Sequence, residues 1–199
     1  VKFKCRHCHI EMTVPFFALV TFLLLADRSG AAFWGLCAAA SHEAGHLLAM
    51  IFCGRPPQKI RLTAFGAEIC ANAATASYAA DAVVSAAGPL LNLLLWQIWF
   101  PLSTNGRFFA LANAVLAVFN LLPVEPLDGG QVLLSLLSCR FQREKAQRAV
   151  HICSFFVLVP VAAAGFFVLF RSRWNVTLLL AALYLLFLLL MKPQRFGQG

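Results

Sequence analysis

Six apolar runs constrain what this chain can become. They cover residues 14–26, 31–53, 82–102, 108–124, 149–170 and 175–191. All but the first reach the length of about 17–25 residues that a helix needs to cross a bilayer, and the first reaches it if Ile10 to Val14 join it. Hydrocarbon offers no water to backbone N–H and C=O groups, so each run must satisfy its own as a helix. Composition agrees, with 61% hydrophobic and 12% charged residues, against about 45–50% and about 25% in a soluble domain. The reading is an all-α polytopic membrane protein with six transmembrane helices, one domain over residues 1–199, and the lipid bilayer as its surroundings. The basic excess, net charge +8, falls in short gaps between apolar runs, where loops meet anionic headgroups. No basic stretch is interleaved with aromatics, so nucleic acid is not an expected partner. No small-residue cleavage site follows the first run, so no cleavable signal peptide is expected.

The gaps also set an orientation. With the N-terminus inside, the inner segments hold twelve Lys and Arg residues and the outer ones four, namely Arg28, Arg107, Arg171 and Arg173. That bias puts both termini in the cytoplasm of a bacterial cell membrane. Residues 58–71, QKIRLTAFGAEICA, carry β-branched residues, partial alternation and Gly66 at a turn position, the pattern of a small membrane-associated β hairpin. CRFQREKAQRA at 139–149 reads as a short basic surface helix. CRHCH at 5–9 fits a haem-attachment pattern, but its inner position argues against haem, and a strand-like segment with incidental cysteines is expected ahead of a zinc or redox site from Cys5, Cys8, His7 and His9. The seven cysteines are odd in number and four lie in or beside apolar runs, so free thiols are expected rather than disulfides.

The second run contains HEAGH, residues 42–46. Ionisable groups at membrane depth are costly and tend to mark function. His42 and His46, four apart, lie one turn apart on one helix face and can hold the same metal ion. Glu43 beside them is placed to take a proton from water at that metal. Ala44 and Gly45 leave the remaining face small enough for another helix to approach closely. A catalytic zinc site has three protein ligands and an open position. Among the eight acidic residues, Glu11, Asp27, Glu68, Asp81 and Glu144 lie in flanks, loops or the opposite side, and Glu43 is committed. Glu125 and Asp128 remain, in NLLPVEPLDGG (120–130), at the inner end of the fourth run, which travels in the same direction as the second.

HEAGH, AAGPLLN (86–92) and NLLPVEPLDGG (120–130) resemble the three signature motifs of the site-2 proteases, intramembrane zinc metalloproteases. The resemblance implies a three-helix catalytic core over about 31–130, followed by further spans over 149–191. It implies one zinc ion held by His42, His46 and Asp128, Glu43 as catalytic base, and Asn92 and Asn120 as groups that hold the substrate backbone or the oxyanion. KIRLTAFGAEI resembles the family's membrane-associated β segment. Six spans without an inserted PDZ domain look most like the branch of stage IV sporulation protein FB, which implies a sigma-factor precursor or another regulated-proteolysis substrate. Many members of that branch carry a C-terminal CBS domain, which the 199 residues do not include, and Glu125 adds a charge beside the ligand motif.

The expected activity is therefore hydrolysis of a peptide bond in or near a membrane-spanning or membrane-associated segment of a substrate protein, on the cytoplasmic side, with regulatory membrane proteins as further partners. The competing readings are a membrane metal transporter and a non-catalytic scaffold. A transporter calls for repeated halves or a polar path across the membrane. Here the polar residues cluster on one side and every group needed for hydrolysis is present.

Overall fold

The computed structural model describes residues 2–5, 8–63, 66–71, 77–102, 106–172 and 177–191. Arg6 and His7 of the CRHCH segment, Arg173, and the tail with Lys192, Arg195 and RFGQG lie outside the described residues. The chain separates into two compact units, 1–118 and 119–199.

The first unit opens with a four-stranded sheet in the order β1-β2-β3-β4, from Lys2–Cys5, Cys8–Met12, Pro57–Thr63 and Gly66–Ala71. β3 and β4 pair antiparallel, with Ile60 opposite Ile69, and β2 runs parallel to β3, with Ile10 opposite Ile60. The sheet is thus larger than the 58–71 pair alone, because the N-terminal strands extend it. Two contacts tie it down: Lys59 Nζ lies 3.0 Å from a Glu11 carboxylate oxygen, and Thr13 donates from its N–H and Oγ1 to the Leu62 carbonyl at 3.1 and 3.0 Å.

Helix α1, Val14–Ala26, begins with a proline in its first turn, where the missing N–H costs nothing. None of its residues is buried. A helix apolar all round and uncovered by protein is one built to face lipid. The Asp27 carboxylate accepts from the Ser29 N–H and the Ala32 N–H at 2.8 and 2.7 Å, satisfying orphan donors at the start of α2, Ala31–Phe52. α2 closes on Gly54 at φ +69°, with the Arg55 N–H returning to the Met50 carbonyl at 2.8 Å. That left-handed glycine is what the reversed end of a helix requires.

α3, Tyr78–Leu102, packs along α2, and α4, Arg107–Asn120, follows. Phe109 of α4 lies 5.7 Å from Trp34 of α2 and 5.8 Å from Trp99 of α3, centroid to centroid, so aromatic rings gather at one end of these helices.

The second unit holds α5 (Asp128–Ser138), α6 (Arg143–Ser172) and α7 (Thr177–Met191). Val124, Leu158, Leu185 and Leu189 form its core, with Phe119, Leu122 and Leu127 against them. Two differences from the sequence reading appear here. α5 is a helix of its own, and the fourth apolar run ends as helix at Asn120 rather than 124. The basic 139–149 stretch is not a separate surface helix, because from Arg143 it is continuous with the fifth run as α6. Glu, Lys, Gln, Arg and Ala there are strong helix formers, and nothing interrupts them.

Among the described residues, α3 and α6 are long and apolar enough to cross a membrane by length and composition, and α1 and α4 are shorter apolar helices.

Candidate metal centre

In the first unit the helix period brings His42 and His46 together on the buried face of α2. Their rings meet edge to face, 4.7 Å between centroids, with the two Nε2 atoms 3.1 Å apart. The other ring nitrogens face acceptors on α3. His46 Nδ1 is 2.8 Å from the Val84 carbonyl, and His42 Nδ1 is 3.2 Å from Asn92 Oδ1. With both Nδ1–H groups donating, each neutral ring keeps a lone pair on Nε2. Two Nε2 lone pairs at 3.1 Å repel one another unless a cation or proton lies between them. Metal-binding histidines have this arrangement, one nitrogen donating to a carbonyl while the other binds. The residues present therefore fit a divalent ion at these histidines.

Two glycines make the approach possible. A Cβ on Gly45 would lie 2.8 Å from the Ala87 carbonyl oxygen and 3.0 Å from Gly88 Cα, so α2 and α3 touch through bare backbone. A Cβ on Gly88 would fall against the His46 ring, 2.6 Å from Cε1, and 3.0 Å from His42 Cε1. Pro89 follows, and its missing N–H leaves the Ser85 carbonyl without its helical donor, one residue past the Val84 carbonyl that His46 uses. Glu43 stands next to His42 on α2 and is half-buried.

Asn92, which the motif implies holds the substrate backbone or the oxyanion, lies on α3 beside His42. It is fully buried, and its amide is used twice within the protein: Oδ1 faces His42 Nδ1, and Nδ2 donates to the Ala38 carbonyl at 3.2 Å. No pattern in the sequence pairs residues 42 and 92, which are joined only by helix packing.

The second unit carries Asn120, the half-buried last residue of α4, and Asp128, the half-buried first residue of α5. The chain turns sharply between them. The Leu127 N–H reaches the Val124 carbonyl at 2.7 Å, and Glu125 N–H donates to Ser154 Oγ at 2.9 Å, with Glu125 itself buried. A Cβ on Gly130 would lie 2.5 Å from the Val124 carbonyl oxygen and 2.7 Å from Glu125 N, and one on Gly129 would press on Leu121. The glycine pair therefore lets α5 start hard against the turn and fixes Asp128 at its N-terminus, where a carboxylate suits the helix dipole.

Residues 102–163 match peptidase family M50. That segment contains Asn120 and Asp128, while the histidine helix lies before it. A zinc metalloprotease of Methanocaldococcus jannaschii is 27% identical over 156 residues, covering 70% of this chain and 45% of that protein. A Synechocystis protein provisionally named a zinc metalloprotease is 30% identical over 129 residues, covering 60% of this chain and 31% of that protein. The chain is thus similar to peptidase family M50 over residues 102–163 and to two zinc metalloproteases over part of their length. The chain spans less than half the length of these two relatives. Among solved structures, a site-2 protease from M. jannaschii matches with a TM-score of 0.66 at 20% identity, covering 100% of this chain and 97% of that one. That likeness concerns the fold.

Proposed function

We propose that this chain is an integral membrane zinc metalloprotease that hydrolyses a peptide bond in or near the membrane segment of a substrate protein. The observation that carries the reading is the paired Nε2 atoms of His42 and His46, with both Nδ1 groups donating on the other side and Glu43 adjacent. His42, His46 and, by the resemblance of NLLPVEPLDGG, Asp128 are the candidate ligands for one zinc ion, and two imidazoles with a carboxylate suit zinc in a catalytic site. Zinc bound there would supply Lewis acidity, polarising the scissile carbonyl and easing loss of a proton from water. Glu43 takes that proton and returns it to the departing amide nitrogen. Asn120 holds the substrate backbone or the oxyanion, and β4, the edge strand among the described residues, is where an unwound substrate strand would pair. The active site faces the cytoplasm, both termini lie there, and a sigma-factor precursor, the substrate type implied by the resemblance to stage IV sporulation protein FB, is the first substrate to try.

The test is co-expression in bacterial membranes with candidate single-span substrates, comparing wild type, Glu43→Gln and Asp128→Asn, with zinc measured after purification. Cleavage by wild type alone, with zinc retained in Glu43→Gln and lost in Asp128→Asn, is the expected result. Equal behaviour of all three proteins and no zinc in any would remove the protease reading.

A further inference from the structure

We infer that Asn92 is a positioning residue that selects the metal-binding tautomer of His42 and does not contact substrate. The inference deepens the proposed function and rests on it.

The two hydrogen bonds of Asn92 cannot be chosen independently. Its Nδ2 group faces the Ala38 carbonyl, which can only accept, so Oδ1 must be the atom turned toward His42. Reversing the amide would set Oδ1 against that carbonyl at 3.2 Å, two acceptors with no hydrogen between them. The fixed amide then presents an acceptor to His42 Nδ1, which must carry the proton. Nε2 is left with its lone pair, on the side where the His46 Nε2 lies 3.1 Å away.

Both bonds land on one turn of α2, because Ala38 and His42 are four residues apart. A buried side chain of α3 thus reads the backbone of the histidine helix and selects the tautomer of its first histidine. Gly88 and Asn92, also four apart, share one face of α3. One vacates the space that the rings fill, and the other orients the ring that fills it. His46 has the same device in main-chain form, the Val84 carbonyl, which no side-chain substitution removes. Of the two orienting acceptors, only the His42 one can be tested by changing a single side chain. With full burial and both amide ends used inside the protein, Asn92 reaches substrate only by giving up these bonds.

The experiment uses the full chain in detergent or nanodiscs, stripped of metal and titrated with zinc against a chromophoric chelator. Asn92→Leu removes the acceptor, while Asn92→Asp keeps an oxygen facing His42 and sets its other oxygen against the Ala38 carbonyl. Loss of such an outer partner typically weakens metal binding about 10–100-fold. That weakening is expected for Asn92→Leu, with an altered visible spectrum of the cobalt-substituted protein, whereas Asn92→Asp keeps more of the zinc affinity than Asn92→Leu although it loses thermal stability with the bond to Ala38. Wild-type zinc affinity in Asn92→Leu overturns the role of Asn92 and leaves the protease reading standing. Absence of zinc binding in wild type overturns both. If Asn92→Leu does not fold, ring 15N resonances of the metal-free wild type decide, with His42 assigned by its loss in His42→Asn. Protonation at Nδ1 supports the inference, and an unprotonated Nδ1 overturns it.

Discussion

Gly88 has no side chain, and the two imidazoles use the space. Gly88→Ala would set a methyl 2.6 Å from His46 Cε1 and 3.0 Å from His42 Cε1, so at least one ring must swing away from its α3 acceptor. Overpacking of this kind costs about 1–3 kcal/mol. The larger expected effect is on zinc, a loss of at least about tenfold in affinity because ring orientation is lost. Chelator competition on Gly88→Ala checks it, and unchanged affinity would show that the rings relax without cost. A second prediction concerns Asp27. Its carboxylate is held below the ordinary value of 3.8, chiefly by the Ser29 hydroxyl and then by the Ala32 and Ser29 N–H groups. A depressed carboxylate contributes stability that is present above its unfolded value and is lost as pH falls through the folded one. The start of α2 should therefore be indifferent to pH above about 4 and loosen only below it. In Asp27→Asn, amide exchange at Ala31 and Ala32 should be faster at neutral pH and lack this acid transition.

Helices α2 and α3 are matched at both ends. At one end Trp34, Trp99 and Phe109 gather; at the other, Arg55 pairs with Asp81, Nη1 to Oδ1, 2.5 Å apart. Trp34 and Arg55 are 21 residues apart, about 30 Å along a helix and close to the thickness of the hydrocarbon layer. His42 and His46 fall between them, about 12–18 Å from the aromatic end. The Asp81 side chain is 41% exposed, so the ion pair is partly screened. Its coupling, measured as a double-mutant cycle of Arg55→Ala and Asp81→Ala on thermal stability, should be about 1 kcal/mol or less. A coupling several times larger would make the pair a buried clamp rather than an interfacial one.

The elements also show what the sequence could and could not carry. HEAGH spacing put both histidines on one face, and the small Ala44-Gly45 pair anticipated the tight helix contact, because both depend only on local periodicity. The partner of Asn92 was not legible. An asparagine in an apolar run names a hydrogen bond without naming its other end, and that end lies 50 residues away. α5 was missed because DGG is poor helix sequence, and only the fold shows that its glycines are needed against Leu121 and Val124.

For the molecule as a whole, the sidedness rests on charge alone and can be tested directly. Twelve of sixteen Lys and Arg residues fall in the segments assigned to the inside, and the translocation machinery retains such segments in the cytoplasm. Cys139 caps α5 and is exposed, beside Arg140 and the basic start of α6. Ser29, in the Asp27–Gly30 loop between α1 and α2, is exposed in a segment assigned to the outside. A variant with Cys139 as its single cysteine should react with a membrane-impermeant maleimide in inverted vesicles and not in intact spheroplasts. A cysteine-free variant carrying Ser29→Cys should show the reverse. Each labels from one face only, so the pair excludes leakage as an explanation. Labelling of Cys139 from outside and of the new cysteine from inside would invert the topology. The inner half of α2, with His46, would then open toward the exterior, and the substrate would have to present its cleavage site from that face.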